Sequence, residues 1–135
     1  MADGLITLAS PFGARETLDR LLDSVVRQGM TVLAHVDHAA AAKAVGLQLR
    51  PADVVLFGNP KAGTPLMQVA PTMAIDLPLK ALIWQDDAGA VWLSYNAPVW
   101  LAARHGLAPA DSPVIRAMTE ALSAIAQEVT DRGPG

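Results

Sequence analysis

The chain has 135 residues and no cysteine, enough for one domain but not for thiol nucleophiles, disulfides, iron–sulfur clusters or cysteine-type zinc sites. Apolar residues make up 52% of it, yet their runs are short and interrupted, well below the roughly 20 residues that span a bilayer. A net charge of −3, with the basic residues scattered, supplies neither a basic stripe for nucleic acid nor a basic amphipathic helix for a membrane surface.

The N-terminus, MADGLITLAS, has no basic residue ahead of its apolar stretch, so it reads as a first strand over Gly4–Ser10 and not as a signal peptide. Pro11–Gly13 breaks that strand. Leu18, Leu21, Leu22, Val25 and Val26 then recur at helical spacing, predicting a helix over about Ala14–Gln28 that Gly29 stops. Arg15, Glu16, Asp19, Arg20 and Asp23 fill its other side. Thr31–Val36 is β-branched and apolar, a second strand. Asp37 is placed to cap a short alanine-rich helix, His38–Val45, closed by Gly46. Arg50-Pro51 leads into a third strand, Asp53–Phe57. Gly58–Gly63 reads as a tight loop, with Thr64 and Pro65 as N-cap and first residue of a short helix to about Val69, ended by Pro71.

Leu79–Gln85 and Ala90–Asn96 flank Asp86-Asp87-Ala88-Gly89, a hairpin signal. A three-residue loop pairs Asp86 with Ala90 and sets Trp84 opposite Trp92. Lys80, Leu82, Trp84, Trp92, Ser94 and Asn96 then share one sheet face. Ala81, Ile83, Val91, Leu93 and Tyr95 share the other, which is the more apolar and is assigned to the core. Asn96 is expected to cap a helix over Ala97–His105, and Ser112-Pro113 to open the longest helix, to about Thr130. The order predicts an α+β domain: a five-stranded, mainly antiparallel sheet with helices on one face, spanning residues 1–132, with a frayed tail at 133–135.

Three groups of residues carry possible chemistry. His35 and Asp37 point the same way from a strand and His38 follows at the helix start, the minimum for a general base oriented by a carboxylate. The plainer reading is that Asp37 caps the helix. No third or fourth ligand is evident, so no metal is expected. Gly58-Asn59-Pro60-Lys61-Ala62-Gly63-Thr64 lies between a strand and a helix as a phosphate loop does. Thr64 and Pro65 stand where a Walker motif needs Lys and Ser or Thr, so only a weaker anion site survives, from Asn59, Lys61, Gly63 and Thr64 with Lys80 as a further cation. Trp84 and Trp92, with Ser94, form an aromatic patch on the face away from the helices, which calls for a partner subunit. His105 and Asp76 receive no role, and no serine sits in a nucleophile elbow.

The words HVDHAAAAKAVGLQLRPADVVLFGNPKAGTPLMQVAP (His35–Pro71), DLPLKALIWQDDAGAVWLSYN (Asp76–Asn96) and LAARHGL (Leu101–Leu107) resemble the uncharacterised family called domain of unknown function 302. The likeness runs from about Thr7 to Leu107. It implies a TATA-binding-protein-like β-α-β(4)-α fold and homodimers, and it transfers no activity, because the family has none established. Another branch carries Cys beside the Asn-Pro step where this chain has Gly58, so thiol chemistry there does not apply. The acidic balance argues against DNA binding despite the topology. The combined expectation is a cytoplasmic homodimer binding a small anionic ligand, without cofactor, nucleic acid or membrane. Its pocket is expected where the His35/Asp37/His38 turn and the Asn59–Thr64 loop are neighbours and Lys61 or Lys80 meets the anionic group. A hydrolase- or lyase-like enzyme with a His/Asp base and a purely structural dimer are the rival expectations.

Overall fold

The computed structural model describes residues 2–108 and 112–133. Five strands, β1 (Leu5–Ser10), β2 (Thr31–Asp37), β3 (Ala52–Gly58), β4 (Leu79–Gln85) and β5 (Val91–Asn96), form one sheet in the order β1-β5-β4-β3-β2. Every neighbouring pair is antiparallel. The helices are α1 (Ala14–Arg27), α2 (His38–Ala44), α3 (Pro60–Val69), α4 (Pro98–Arg104) and α5 (Pro113–Thr130), with a 3-10 turn at Pro71–Ile75. This is the α+β arrangement expected from the sequence. All but Gly133 of the expected tail lies outside the described residues.

Strands β1 and β2 occupy opposite edges, so α1, which joins them, must cross the sheet. It does so beside α5, and the two helices bury one sheet face. Leu21 and Val25 of α1 and Ile115, Leu122, Ile125 and Val129 of α5 meet Val55, Phe57, Ile83 and Leu93 of the sheet, all nearly solvent-free. Alternation does the sorting: along β4, Leu79, Ala81 and Ile83 are buried while Lys80, Leu82 and Trp84 are half-exposed. Trp84 pairs with Trp92 in register, as the hairpin loop requires.

Arg20, expected on the solvent side of α1, instead reaches α5. Its Nε donates to the Val129 carbonyl (2.8 Å), and its terminal nitrogen donates to the carbonyls of Glu128 and Asp131. It thus satisfies carbonyls that the end of α5 leaves without helical partners, while its guanidinium lies 4.2 Å from the Phe12 ring centre. Ser24 and Arg27 both bond the Glu128 carboxylate and extend the same seam. At the far edge, Gly4 (φ +75°) leaves room for Trp100. A Cβ there would fall 2.3 Å from the indole, so α4 closes on the start of β1 only because residue 4 has no side chain.

Three local expectations need correction. Helix α3 starts at Pro60, not Pro65, because Asn59 is its cap: Asn59 Oδ1 accepts from the Lys61 N–H at 3.0 Å. Two polar-residue-plus-proline signals lie five residues apart, and the earlier one, with the stronger capping side chain, starts the helix. Gly63, Thr64 and Pro65 therefore sit inside it. Pro71 ends α3 but also opens the 3-10 turn. Ala97, not Asn96, is the cap residue of α4, and it makes no side-chain capping bond.

Ile83→Ala is expected to lower unfolding free energy by about 3 kcal/mol in a urea titration, through lost transfer energy and a cavity. Ile75→Ala, at a position 72% exposed, should cost less than about 0.5 kcal/mol.

Candidate functional site

The helix layer does not reach the whole of β2, and a recess opens at each end of that edge strand. At its start, the end of β3, the beginning of α3, the Leu77-Pro78 step and α5 enclose a groove of about 390 Å³. Met30, Met67 and Met118 furnish soft walls, with Leu77 and Leu79 at the base. An irregularity in the β2–β3 pairing between Val32 and Ala34 leaves Leu33 out of register; it is 57% exposed and forms part of the rim. Polar groups are few: Gln28, Asn59 and Thr64.

The Asn59–Thr64 segment is therefore at a recess, as the sequence suggested, but it does not present free N–H groups to an anion. The Lys61 N–H is taken by the Asn59 side chain, and those of Ala62 and Gly63 donate to the Asn59 carbonyl at 2.9 and 3.0 Å. Lys61 is exposed and does not line the groove. Lys80 projects from the opposite sheet face, where its ammonium lies 3.4 Å from the Pro78 carbonyl. The two lysines and the helix start are not assembled into one anion site.

At the other end of β2, His35 and Asp37, but not His38, line a cleft whose opposite wall is the first half of α1. Antiparallel pairing sets Asp37 against Asp53 and Thr31 against Gly58. The two turns expected to be neighbours thus lie at opposite ends of β2, roughly 20 Å apart for seven residues of strand. Asp37 caps α2 as expected, accepting from the Ala40 N–H at 2.9 Å. His35 does not pair with it. Its Nε2 lies 2.8 Å from Oδ1 of Asp53 on the adjacent strand, a carboxylate that sequence neighbours alone could not reveal. His38 is exposed at the first residue of α2 and makes no hydrogen bond from its side chain among the described residues.

The open sheet face carries the tryptophans. Their ring centres are 6.1 Å apart with planes 25° from parallel. Trp84 Nε1 donates to Ser94 Oγ, and Trp92 Nε1 donates to Asp86 Oδ2, both at 2.9 Å. Ser94 is only 2% exposed and shares a further bond with Thr7, so it supports the indoles from beneath and is not itself available to a partner. Asp86 also accepts from the N–H groups of Ala88 and Ala90, which folds the hairpin turn. The Trp92 indole first, then those backbone donors, holds the Asp86 carboxyl below the usual carboxylate range, against the opposing effect of desolvation.

A further polar cluster was not anticipated. His105 Nδ1 lies 2.8 Å from Thr72 Oγ1 and its Nε2 lies 2.5 Å from Asp76 Oδ2. Arg104 donates to both Asp76 oxygens at 3.0 and 2.9 Å. These bonds tie the end of α4 to the segment between α3 and β4, the segment that walls the groove. The residues are 28 or more positions apart from Asp76 to α4, with no periodicity to connect them. Among the described residues no group of three or more His, Asp or Glu is placed to hold a metal ion, and no helix is long and apolar enough to cross a membrane.

The family model described as "Domain of unknown function DUF302" matches residues 6–125. The chain belongs to that family. The structure of an uncharacterized conserved DUF302 protein from Bacillus stearothermophilus superposes with a TM-score of 0.83, covering 95% of this chain and 99% of that one. At 21% identity it speaks for the fold alone. Curated relatives from Brucella suis biovar 1 (strain 1330) and Brucella abortus biovar 1 (strain 9-941) are each 45% identical over 115 residues, 85% of this chain. Both are named "Fluoride-specific ion channel FluC 1". This DUF302 chain spans less than half the length of either, 45% and 43% respectively.

Because Asp86 binds as a carboxylate, its contribution to stability is present above the usual carboxylate pKa and is lost as pH falls through its lowered folded value. Asp86→Asn should therefore lower the melting temperature at pH 7 and flatten its decline below about pH 4, read by tryptophan fluorescence.

Proposed function

We propose that this DUF302 domain binds a small, mainly apolar molecule in the groove between α3, α5 and the start of β2. The observation that carries this is a recess of about 390 Å³ walled by Met30, Met67, Met118, Leu77 and Leu79 and left open in a folded core. Recesses of that size take a small organic ligand, and methionine walls adapt to its shape. An apolar ligand replaces the anionic one expected from the sequence, since the α3 N–H groups are occupied and neither Lys61 nor Lys80 lines the groove. Gln28 and Thr64 supply one or two polar contacts that would orient it. The cysteine-free composition suits the cytoplasm, to which we assign the protein.

The same domain, on this reading, works as a homodimer through its open sheet face. A standard interface covers about 800 Å² per partner, and the half-exposed Lys80, Leu82, Trp84 and Trp92 would lie at the centre of such a patch. Both indole N–H groups are already satisfied within the chain, so a partner can cover Trp84 and Trp92 without stranding a donor.

The Brucella likeness favours a second reading at the level of the whole system: the domain is a companion of a membrane fluoride channel, with conduction residing elsewhere. Fluoride is a small hard anion, and the groove offers it no cation. Addition of the domain to vesicles holding such a channel should then change the fluoride efflux rate; an unchanged rate speaks against this second reading.

For the groove, the neutral dye Nile red should bind the purified domain with a blue-shifted emission. Ala121→Trp, which fills the groove from α5, should weaken binding at least about tenfold, or 1.4 kcal/mol, with the melting temperature preserved. Equal binding by the variant rules the groove out. For the dimer, sedimentation should give a two-chain mass that Trp84→Glu converts to one chain, with helical content unchanged.

A further inference from the structure

We propose that the cleft at the C-terminal end of β2 is a second site, where His35, positioned by Asp53, acts as general base in hydrolysis of a small ester bearing a cationic amine. It is separate from the groove and does not depend on the reading given for it.

The register carries the argument. His35 stands opposite Val55 and Asp37 opposite Asp53, so all three polar side chains leave the sheet on the helix side at its edge. Val55 and Ile83 next to them are sealed beneath α1, but the edge is not, and the polar groups occupy the unsealed part. Asp53 sits behind, 14% exposed, and His35 in front, 37% exposed. The 2.8 Å contact to Asp53 fixes the proton of the neutral imidazole on Nε2. The other ring nitrogen, Nδ1, then offers its lone pair, and it has no hydrogen-bond partner among the described residues. A carboxylate that orients an imidazole with an unpaired second nitrogen, on a residue that lines a recess, is the arrangement general-base catalysis requires.

The cleft holds about 390 Å³ between that pair and α1. Ala14, Leu18 and Leu22 give it an apolar wall, while Asp19 and Asp37 add carboxylates. One Asp37 oxygen caps α2 and the other is uncommitted. Arg15 is the cationic side chain of the lining and it already leans on Asp19, at 3.7 Å. Three carboxylates against one guanidinium favour a substrate with a positive charge next to the reacting group.

The step balances without a cofactor. His35 Nδ1 takes a proton from a water molecule as the water oxygen bonds to the acyl carbon. The tetrahedral intermediate then expels the alcohol, its C–O bond breaking with both electrons, and the imidazolium returns the proton to the departing oxygen. One ester and one water become one acid and one alcohol. Asp53 is a positioning residue: it holds the tautomer and steadies the imidazolium.

The test uses the full chain with 4-nitrophenyl esters of glycine (cationic), acetic acid (neutral) and succinic acid (anionic). The expected rate enhancement, kcat/KM divided by the uncatalysed hydrolysis rate of the same ester, falls in that order. His35→Ala should lose about 100-fold or more for the glycine ester with the melting temperature unchanged. Asp53→Asn should lower kcat and leave KM alone, an effect that a mere cross-strand tie would not produce. Nitrogen-15 spectra of neutral His35 should show the proton on Nε2. Undiminished hydrolysis by His35→Ala, or a proton found on Nδ1, overturns the site. Indifference to ester charge, or preference for the succinate, overturns the substrate class assigned to it.

Discussion

Burial of a single sheet face beneath α1 and α5 is the constraint on which the rest of the molecule depends. The first two strands lie at opposite edges, so α1 must cross the sheet, and its apolar stripe is what pays for that crossing. The stripe alone would leave the helix free to pivot. Arg20 removes that freedom by bonding the carbonyls at the end of α5, and Glu128 receives Ser24 and Arg27 alongside it. Hydrogen bonds to backbone carbonyls with no helical partner are worth more than an exposed ion pair, because the acceptors would otherwise depend on water alone.

Two helices cannot roof five strands completely, and what they leave uncovered is where the candidate chemistry lies. β2 is the edge strand farthest from α5, and it is exposed along nearly all its length. The groove opens at its start and the acidic cleft at its end. They differ in character for a simple reason. The groove is closed by α3, α5 and the chain leading to β4, and Met30, Met67, Met118, Leu77 and Leu79 give it apolar walls. The cleft is closed mainly by α1, whose outer flank is charged, with Ala39 and Pro51 at its margin. One recess therefore suits apolar matter and the other a polar substrate.

The polar clusters follow the same economy. Asp76, Arg104, His105 and Thr72 lie where α4 meets the excursion between β3 and β4. Asp86 gathers two backbone donors and an indole at the hairpin. Among the described residues no buried side-chain nitrogen or oxygen lacks a partner. Satisfied networks of this kind fix how the segments that flank the core meet.

The strands, the two long helices, the hairpin register and the choice of buried face were legible in the sequence, because each rests on local periodicity or on a turn that permits one pairing. Leu18, Leu21 and Val25 announce a helix face, and Asp86–Gly89 aligns Trp84 with Trp92 whatever the rest of the chain does. Strand order and long-range partners were not legible. Whether His35 meets Asp37 or Asp53 depends on which strand lies beside β2, and whether Arg20 faces water or α5 depends on how two distant helices cross. The start of α3 falls between these cases: Asn59-Pro60 and Thr64-Pro65 are both sound local signals, and only the end of β3 decides between them. Local chemistry settles what each segment becomes, but sites are made where segments meet, and that is decided by the packing of the whole sheet.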